Sequence, residues 1–271
     1  TEVELPSGFL EPDTDYAWEV LAIEASGNQT LSSGLFDTGD APDLPETPSN
    51  DPPRLKEAKL NIEHNATDED TGFQGAIDSE GWKQLTVSGP DGAVLEFEAA
   101  GKLRGLGVTE LFFETVEPAN ADLPIDRMLS KLPAGNYTIS GPIPANQGGG
   151  ITSGAAWLTH NIPKGPPLLA PTEGQSVPVG DLLVRWGPVA TTITGAPVKI
   201  IAYQLIIEKD GPPHPHMIGK PNSLSMYLPA TTDRIKVPGT FFVPNTTYFW
   251  EVLAIEESGN QTLSSSSFKT K

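Results

Sequence analysis

The first 39 residues of this chain recur at its far end. Tyr16 to Ser33, YAWEVLAIEASGNQTLSS, and Tyr248 to Ser265, YFWEVLAIEESGNQTLSS, agree at 16 of 18 positions. Laid gap-free on residues 233–271, an offset of 232, residues 1–39 keep 22 of 39 identities. The repeat alternates as a strand does. Tyr248, Trp250, Val252 and Ala254 fall on one face, and Phe249, Glu251, Leu253 and Ile255 on the other. The turn Ser258-Gly259-Asn260 then lets Thr262 to Phe268 return antiparallel. Pro244, just ahead of Tyr248, fits a tyrosine corner, in which the phenol bonds back to the preceding loop.

The stretch VPNTTYFWEVLAIEESGNQT resembles strands E, F and G of bacterial fibronectin type III domains, and LEPDTDYAWEVLAIEASGNQT near the start does the same. Upstream of the second copy, Pro166 to Pro178 resembles strand A of that family, with its proline-rich entry. Leu182, Val184 and Trp186 resemble strand B, with Trp186 as the core tryptophan. Ile201 to Lys209 resembles strand C and Leu224 to Leu228 strand C′; the long loop GPPHPHMIGKPNS between them departs from the family pattern. The resemblance implies one complete sandwich at residues 165–271 and a partial E-F-G half at residues 1–40. It also implies a role in spacing, adhesion or presentation, with no catalytic residues.

The chain thus holds two E-F-G halves and one A-B-C-C′ half. Alone, residues 1–39 would leave Leu10, Tyr16, Trp18, Val20 and Phe36 in water, each forgoing about 1.5–3 kcal/mol of burial. They would also leave an unpaired sheet edge. Two sources of the missing half are open. It comes from residues outside this sequence in a protein with a repeat near 232 residues. Or it comes from another chain, by strand complementation, giving head-to-tail self-association through residues 1–40. The chain cannot serve as its own donor at 1:1, because residues 165–232 already have 233–271 as partner. Aligned charges reverse sign between the copies: Glu2 against Arg234, Glu4 against Lys236, Asp37 against Lys269. Such reversal can steer association or discriminate the copies.

Between the copies, DAPDLPETPSNDPPR (Asp40 to Arg54) reads as a semi-extended linker, residues 41–55. Residues 56–164 carry short apolar runs at Leu60–Ile62, Gln84–Val87, Val94–Phe97, Leu111–Phe113, Tyr137–Ile139 and Ala155–Leu158. Pro90-Asp91-Gly92 marks a hairpin. Asp122 to Leu132 predicts a helix capped by Asp122 and stopped by Pro133. The expected fold class is all-β: tandem β-sandwich domains, one fibronectin type III-like and a second with one short helix. A sugar-binding or prealbumin-like sandwich is consistent with this middle segment on architecture only.

Charge and composition narrow the functions. With 17 Lys and Arg against 35 Asp and Glu, the net charge is −18, which argues against nucleic-acid phosphate and anionic lipid as partners. No cysteine is present, which excludes disulfides, thiolate zinc and a Cys nucleophile. No apolar run of about 18 residues offers membrane insertion. Asn65 to Gly72, with Asp78 and Glu80 beyond, is the strongest chemical cluster; Asp68, Asp70 and Asp78 are its calcium candidates. Gly72 and Ser79 at the fifth and twelfth places from Asp68 rule out an EF-hand. His214 and His216 offer a transition metal two imidazoles and no third ligand. No Ser lies in a G-x-S-x-G elbow, and Gly148 to Gly150 lead into no phosphate-binding Lys. Glu63 and Asp68 are the sort of carboxylate pair a glycosidase uses, but any acid-rich chain offers one. An enzyme is not expected, nor a cofactor other than calcium.

N-x-T sequons stand at Asn28, Asn65, Asn136, Asn245 and Asn260; at Asn28 and Asn260 the Gly-Asn pair also suits the turn. The expected function is an extracellular, secreted or surface-borne structural or adhesive protein, a unit of a filament or multidomain array. The alternative is an accessory carbohydrate- or calcium-binding module of a secreted polysaccharide-degrading enzyme. A row of exposed aromatics, with Trp82 and Trp157 as candidates, would favour it.

Overall fold

The computed structural model describes residues 3–39, 55–217 and 220–271. All but Leu55 of the expected linker lies outside the described residues. The regular structure of the described chain is almost wholly strand. The first copy forms β1 (Asp15–Ile23) and β2 (Gln29–Asp37). The middle segment forms β3 (Glu57–Asn65), β4 (Asp70–Trp82), β5 (Gln84–Gly89), β6 (Gly92–Glu98), β7 (Val108–Glu114), β8 (Gly135–Pro142) and β9 (Ile151–Leu158). One-turn helices α1 (Leu103–Leu106) and α2 (Ile125–Leu129) interrupt it. The last segment forms β10 (Leu168–Ala170), β11 (Gln175–Val177), β12 (Leu182–Trp186), β13 (Ile200–Lys209), β14 (Ser223–Pro229), β15 (Arg234–Val237), β16 (Thr247–Glu256) and β17 (Gln261–Thr270).

The apolar faces of these strands collect into two cores. In the last segment, the sheet β10-β12-β15 faces β14-β13-β16-β17 across Val184, Trp186, Tyr203, Leu205, Trp250, Val252 and Phe268. The corner expected at Tyr248 is formed: its hydroxyl accepts from the Val243 N–H at 2.8 Å. In the middle segment, β3-β4-β7 faces β6-β5-β8-β9 across Ile62, Phe73, Ile77, Leu85, Tyr137, Ile139 and Leu158. The Pro90–Gly92 hairpin joins β5 to β6. The helix expected over residues 122–132 contracts to α2. Pro124 takes the N-cap, two residues past Asp122, and Asp122 makes no capping bond; its N–H instead closes a turn on Ala119. Beyond Leu129 the bonds Lys131 to Met128 and Leu132 to Leu129 wind a tighter turn.

The two cores are distinct, yet one sheet runs through both. Its order is β14-β13-β16-β17-β3-β4-β7, and the join is a short parallel ladder, Gln261 to Leu263 against Glu63 to Asn65. Farther along, β11 pairs in parallel with the same edge of β17, at Phe268 to Thr270. Between the two, Glu173 accepts from the Ser266 hydroxyl and from the Ser267 N–H and hydroxyl, each at 2.8 Å. An edge that would otherwise recruit foreign strands is thus covered from end to end.

Asn260 fastens that join. Its carboxamide NH₂ donates to the Thr159 carbonyl at 3.1 Å, the Thr159 hydroxyl at 2.9 Å and the Asn161 carbonyl at 3.3 Å. Its oxygen accepts from the Ile62 N–H at 2.9 Å, and the residue is fully buried. Asn28, the aligned residue, is exposed. Asn260→Ala therefore removes four bonds and strands a buried N–H, and should cost about 2–4 kcal/mol in urea unfolding. Asn28→Ala should change stability by less than about 0.5 kcal/mol. Equal effects from the two would contradict this account of the join.

Candidate functional site

The first copy is a two-stranded hairpin that joins no other sheet among the described residues, and its local design is complete. Every β1–β2 pair is the β16–β17 pair shifted by 232: Tyr16 faces Phe36 as Tyr248 faces Phe268, and Trp18 faces Gly34 as Trp250 faces Ser266. The Tyr16 hydroxyl accepts from the Glu11 N–H at 2.6 Å, repeating the corner. The Tyr16 and Phe36 rings stack at 5.3 Å, against 5.5 Å for Tyr248 and Phe268. Both turns use a left-handed glycine, Gly27 at φ 93° and Gly259 at φ 95°, a conformation costly for other residues.

What differs is the cover. Trp18 is 47% exposed and Val20 58%, whereas Trp250 and Val252 are each 0% exposed. Leu21, Ile23, Leu31, Leu35 and Phe36 also lie open, so both faces of the hairpin carry bare apolar surface. Within the described chain the first copy leans on the last segment through its lead-in and its turn. Val3, Glu4 and the buried Pro6 line a cleft with Val237, Pro238 and Phe241, Ser7 bridges to Lys236, Phe9 packs on the core around Tyr248, and Gly27 abuts the His216 backbone. None of these covers Trp18 or Val20. A contiguous apolar face of this kind marks an interaction surface.

The acidic candidates are redistributed by the fold. Asp68 sits in the β3–β4 turn and accepts from the Asn65 carboxamide at 2.9 Å. Asp70 and Asp78 lie not in a loop but in β4, opposite Asn65 and Glu57 respectively. Eight residues of strand separate them by about 26 Å, so Asp68, Asp70 and Asp78 do not share one ion, and the calcium trio read from the sequence is corrected. The fold instead gathers Glu63, Glu114 and Glu117, whose carboxylate oxygens lie within 4.8 Å of one another. Gln74 donates to Glu114 at 2.9 Å, and Gln261 reaches both Glu63 and Gln74 from β17, so the trio stands beside the join. Gly72 makes room for Glu117, whose Cγ would lie 2.7 Å from an added Cβ. These three carboxylates have the chemistry to hold a hard cation. Without one, burial and then the charges of Glu114, Glu63 and Asp70 push the Glu117 carboxyl up to about 7. Burial likewise raises Glu63 and Asp70.

The remaining candidates disperse. His64 is buried and bonded to the Asp70 carbonyl and the Thr71 hydroxyl, both at 3.0 Å. His160 lies just past β9, bonded to the Leu132 carbonyl at 2.9 Å. His214 and His216 lie in an exposed loop with rings 6.0 Å apart. Trp82 is core and Trp157 is 55% exposed, so the two form no row. Asn28, Asn136 and Asn245 are exposed and Asn65 is partly so. Asn260 has no room for a glycan, which corrects that sequon. An apolar cleft of about 540 Å³ opens between the middle sheets where β6 and β7 do not meet, lined by Leu60, Phe73, Phe113, Met128 and Leu132. No described helix is long and apolar enough to cross a membrane.

No protein-family model matches the chain, and no curated protein matches it. Among solved structures it is similar to a 1.5-MDa bacterial ice-binding adhesin, described for host cell surface retention. That match has 11% identity and a TM-score of 0.26, covering 96% of this chain and 75% of that chain. A likeness at this level carries no argument about fold or function.

The trio gives a pH signature. Between about pH 4.5 and 7 the folded protein keeps on Glu117 a proton that the unfolded chain has released. Stability therefore falls as pH rises through that window and levels off above it. Glu117→Gln should shrink the drop in melting temperature between about pH 5 and pH 8. An identical drop in both proteins would contradict the burial of this carboxyl.

Proposed function

We propose that this chain is part of an extracellular structural or adhesive array of fibronectin type III-like sandwiches, in which residues 1–40 act as the joint. Three features support the family reading: the order of the strand pairs in residues 165–271, the bond at Tyr248, and the buried Trp186. One observation carries the joint: a nearly identical strand pair is buried in its second copy and bare in its first. On this reading the bare pair is completed by an A-B-C-C′ half from another chain or from residues outside this sequence, linking units head to tail. Catalysis is not part of the proposal. The alternative, an accessory carbohydrate- or calcium-binding module of a secreted polysaccharide-degrading enzyme, loses its candidate aromatic row with the burial of Trp82.

Supplying the missing half tests the joint: a copy of residues 165–232 is fused ahead of Thr1 in the full chain, and limited proteolysis of the hairpin is compared with and without it. Protection of residues 15–37 is expected on fusion, as is its loss in Trp18→Ser with Val20→Thr, because both substitutions strip the bare face while leaving the two cores intact. A hairpin cut equally fast with and without the added half, or protected equally well after the two substitutions, would refute it.

A further inference from the structure

Asn28 and Asn260 occupy the same turn of the same strand pair, yet their carboxamides do opposite things. That of Asn28 folds back on its own turn, donating to Glu24 at 2.9 Å and to Ser26 at 3.0 Å. That of Asn260 leaves the turn to Glu256 and Ser258 and reaches into the middle segment. Its neighbours do likewise. Ser258 meets the Thr159 hydroxyl at 2.6 Å, Gln261 binds Glu63 and Gln74, and Thr262 donates to the Pro163 carbonyl at 2.7 Å. Ser26, Asn28, Gln29 and Thr30 repeat all four of these residues. The first copy therefore carries a full set of groups whose use in the second copy is to grip residues 56–164. No counterpart of that segment touches them among the described residues.

Building on the half-domain reading above, we propose that the hairpin docks on a further copy of the unit formed by residues 56–232, joined directly ahead of Thr1. Asn28 then seats in a socket made by that unit's counterparts of Ile62, Thr159 and Asn161. The repeat supports placement in the same polypeptide: residues 56–232 lead without a break into 233–271, the segment that residues 1–39 repeat. A separate full-length copy is a poor partner. Its residues 165–232 and its β3 edge already hold its own 233–271, so each hairpin buried would free a closely similar one.

Charge bears on which copy docks best. Lys236 Nζ lies 2.7 Å from Asp181 Oδ2, and the first copy has Glu4 in place of Lys236. A perfect copy would set Glu4 against an aspartate, so a unit with a base at that place docks more tightly, and like-charge repulsion works against register errors between units.

The test extends the full chain by fusing a copy of residues 56–232 before Thr1 and follows amide exchange. Amides of residues 15–37 should slow by about a hundredfold or more, toward those of 247–270. Asp181→Lys in the added copy should slow them further. Asn28→Ala should speed their exchange in the extended chain and do nothing in the original. Hairpin amides left unprotected by the extension would overturn both the half-domain reading and the docking. Hairpin amides protected but indifferent to Asn28→Ala would leave the half-domain reading standing and overturn the docking. Protection of the original chain's hairpin by a separate, unfused full-length copy would overturn the same-polypeptide assignment.

Discussion

The outer edge of β17 is the constraint on which the rest of this molecule turns. A strand edge must be paired or covered, and here three separate devices do it in relay: the β3 ladder, the Glu173 carboxylate and β11. The first of these also couples the two cores into one sheet. Asn260 sits where that coupling begins, using its whole carboxamide to close it. The corresponding edge of β2 is built from nearly the same residues and, among the described residues, has none of the three.

That contrast separates what a sequence specifies locally from what only neighbours supply. The hairpin's register, its tyrosine corner, its left-handed turn glycine and its stacked ring pair are reproduced in the first copy with nothing to enforce them from outside. Local patterning is sufficient for those. Burial of Trp18 and Val20 is not local, since it needs an opposing sheet. The arithmetic of halves is legible in the sequence because it requires only counting the strand-like runs on each side of an internal repeat.

Other features are hidden from the sequence for identifiable reasons. Strand β4 reads as an acidic, glycine-rich loop, because Gly72, Gly75 and Gly81 interrupt the alternation that announces a strand. Hence Asp70 and Asp78 look like neighbours and are not. The Glu63, Glu114 and Glu117 trio joins residues some fifty positions apart, through the β4–β7 register, for which the sequence offers no local signal. Asn260 carries a sequon whose simplest reading is an exposed turn; only the packing of residues 159–163 against it shows that the side chain is a structural staple. The middle segment's strands are legible from their short apolar runs, whereas the parallel join between β3 and β17 is not, since no pattern in either strand names its partner.

The central claim is that one strand pair exists in this chain both covered and bare. Fluorine NMR of the full chain labelled with 5-fluorotryptophan, at a dilution where it is monomeric, reads this residue by residue through the solvent isotope shift. The account predicts a large shift for Trp18, comparable with that of Trp157, and a negligible one for Trp186 and Trp250. A Trp18 signal as insensitive to solvent as that of Trp250 would mean that the hairpin finds its cover within its own chain, and the joint would be lost.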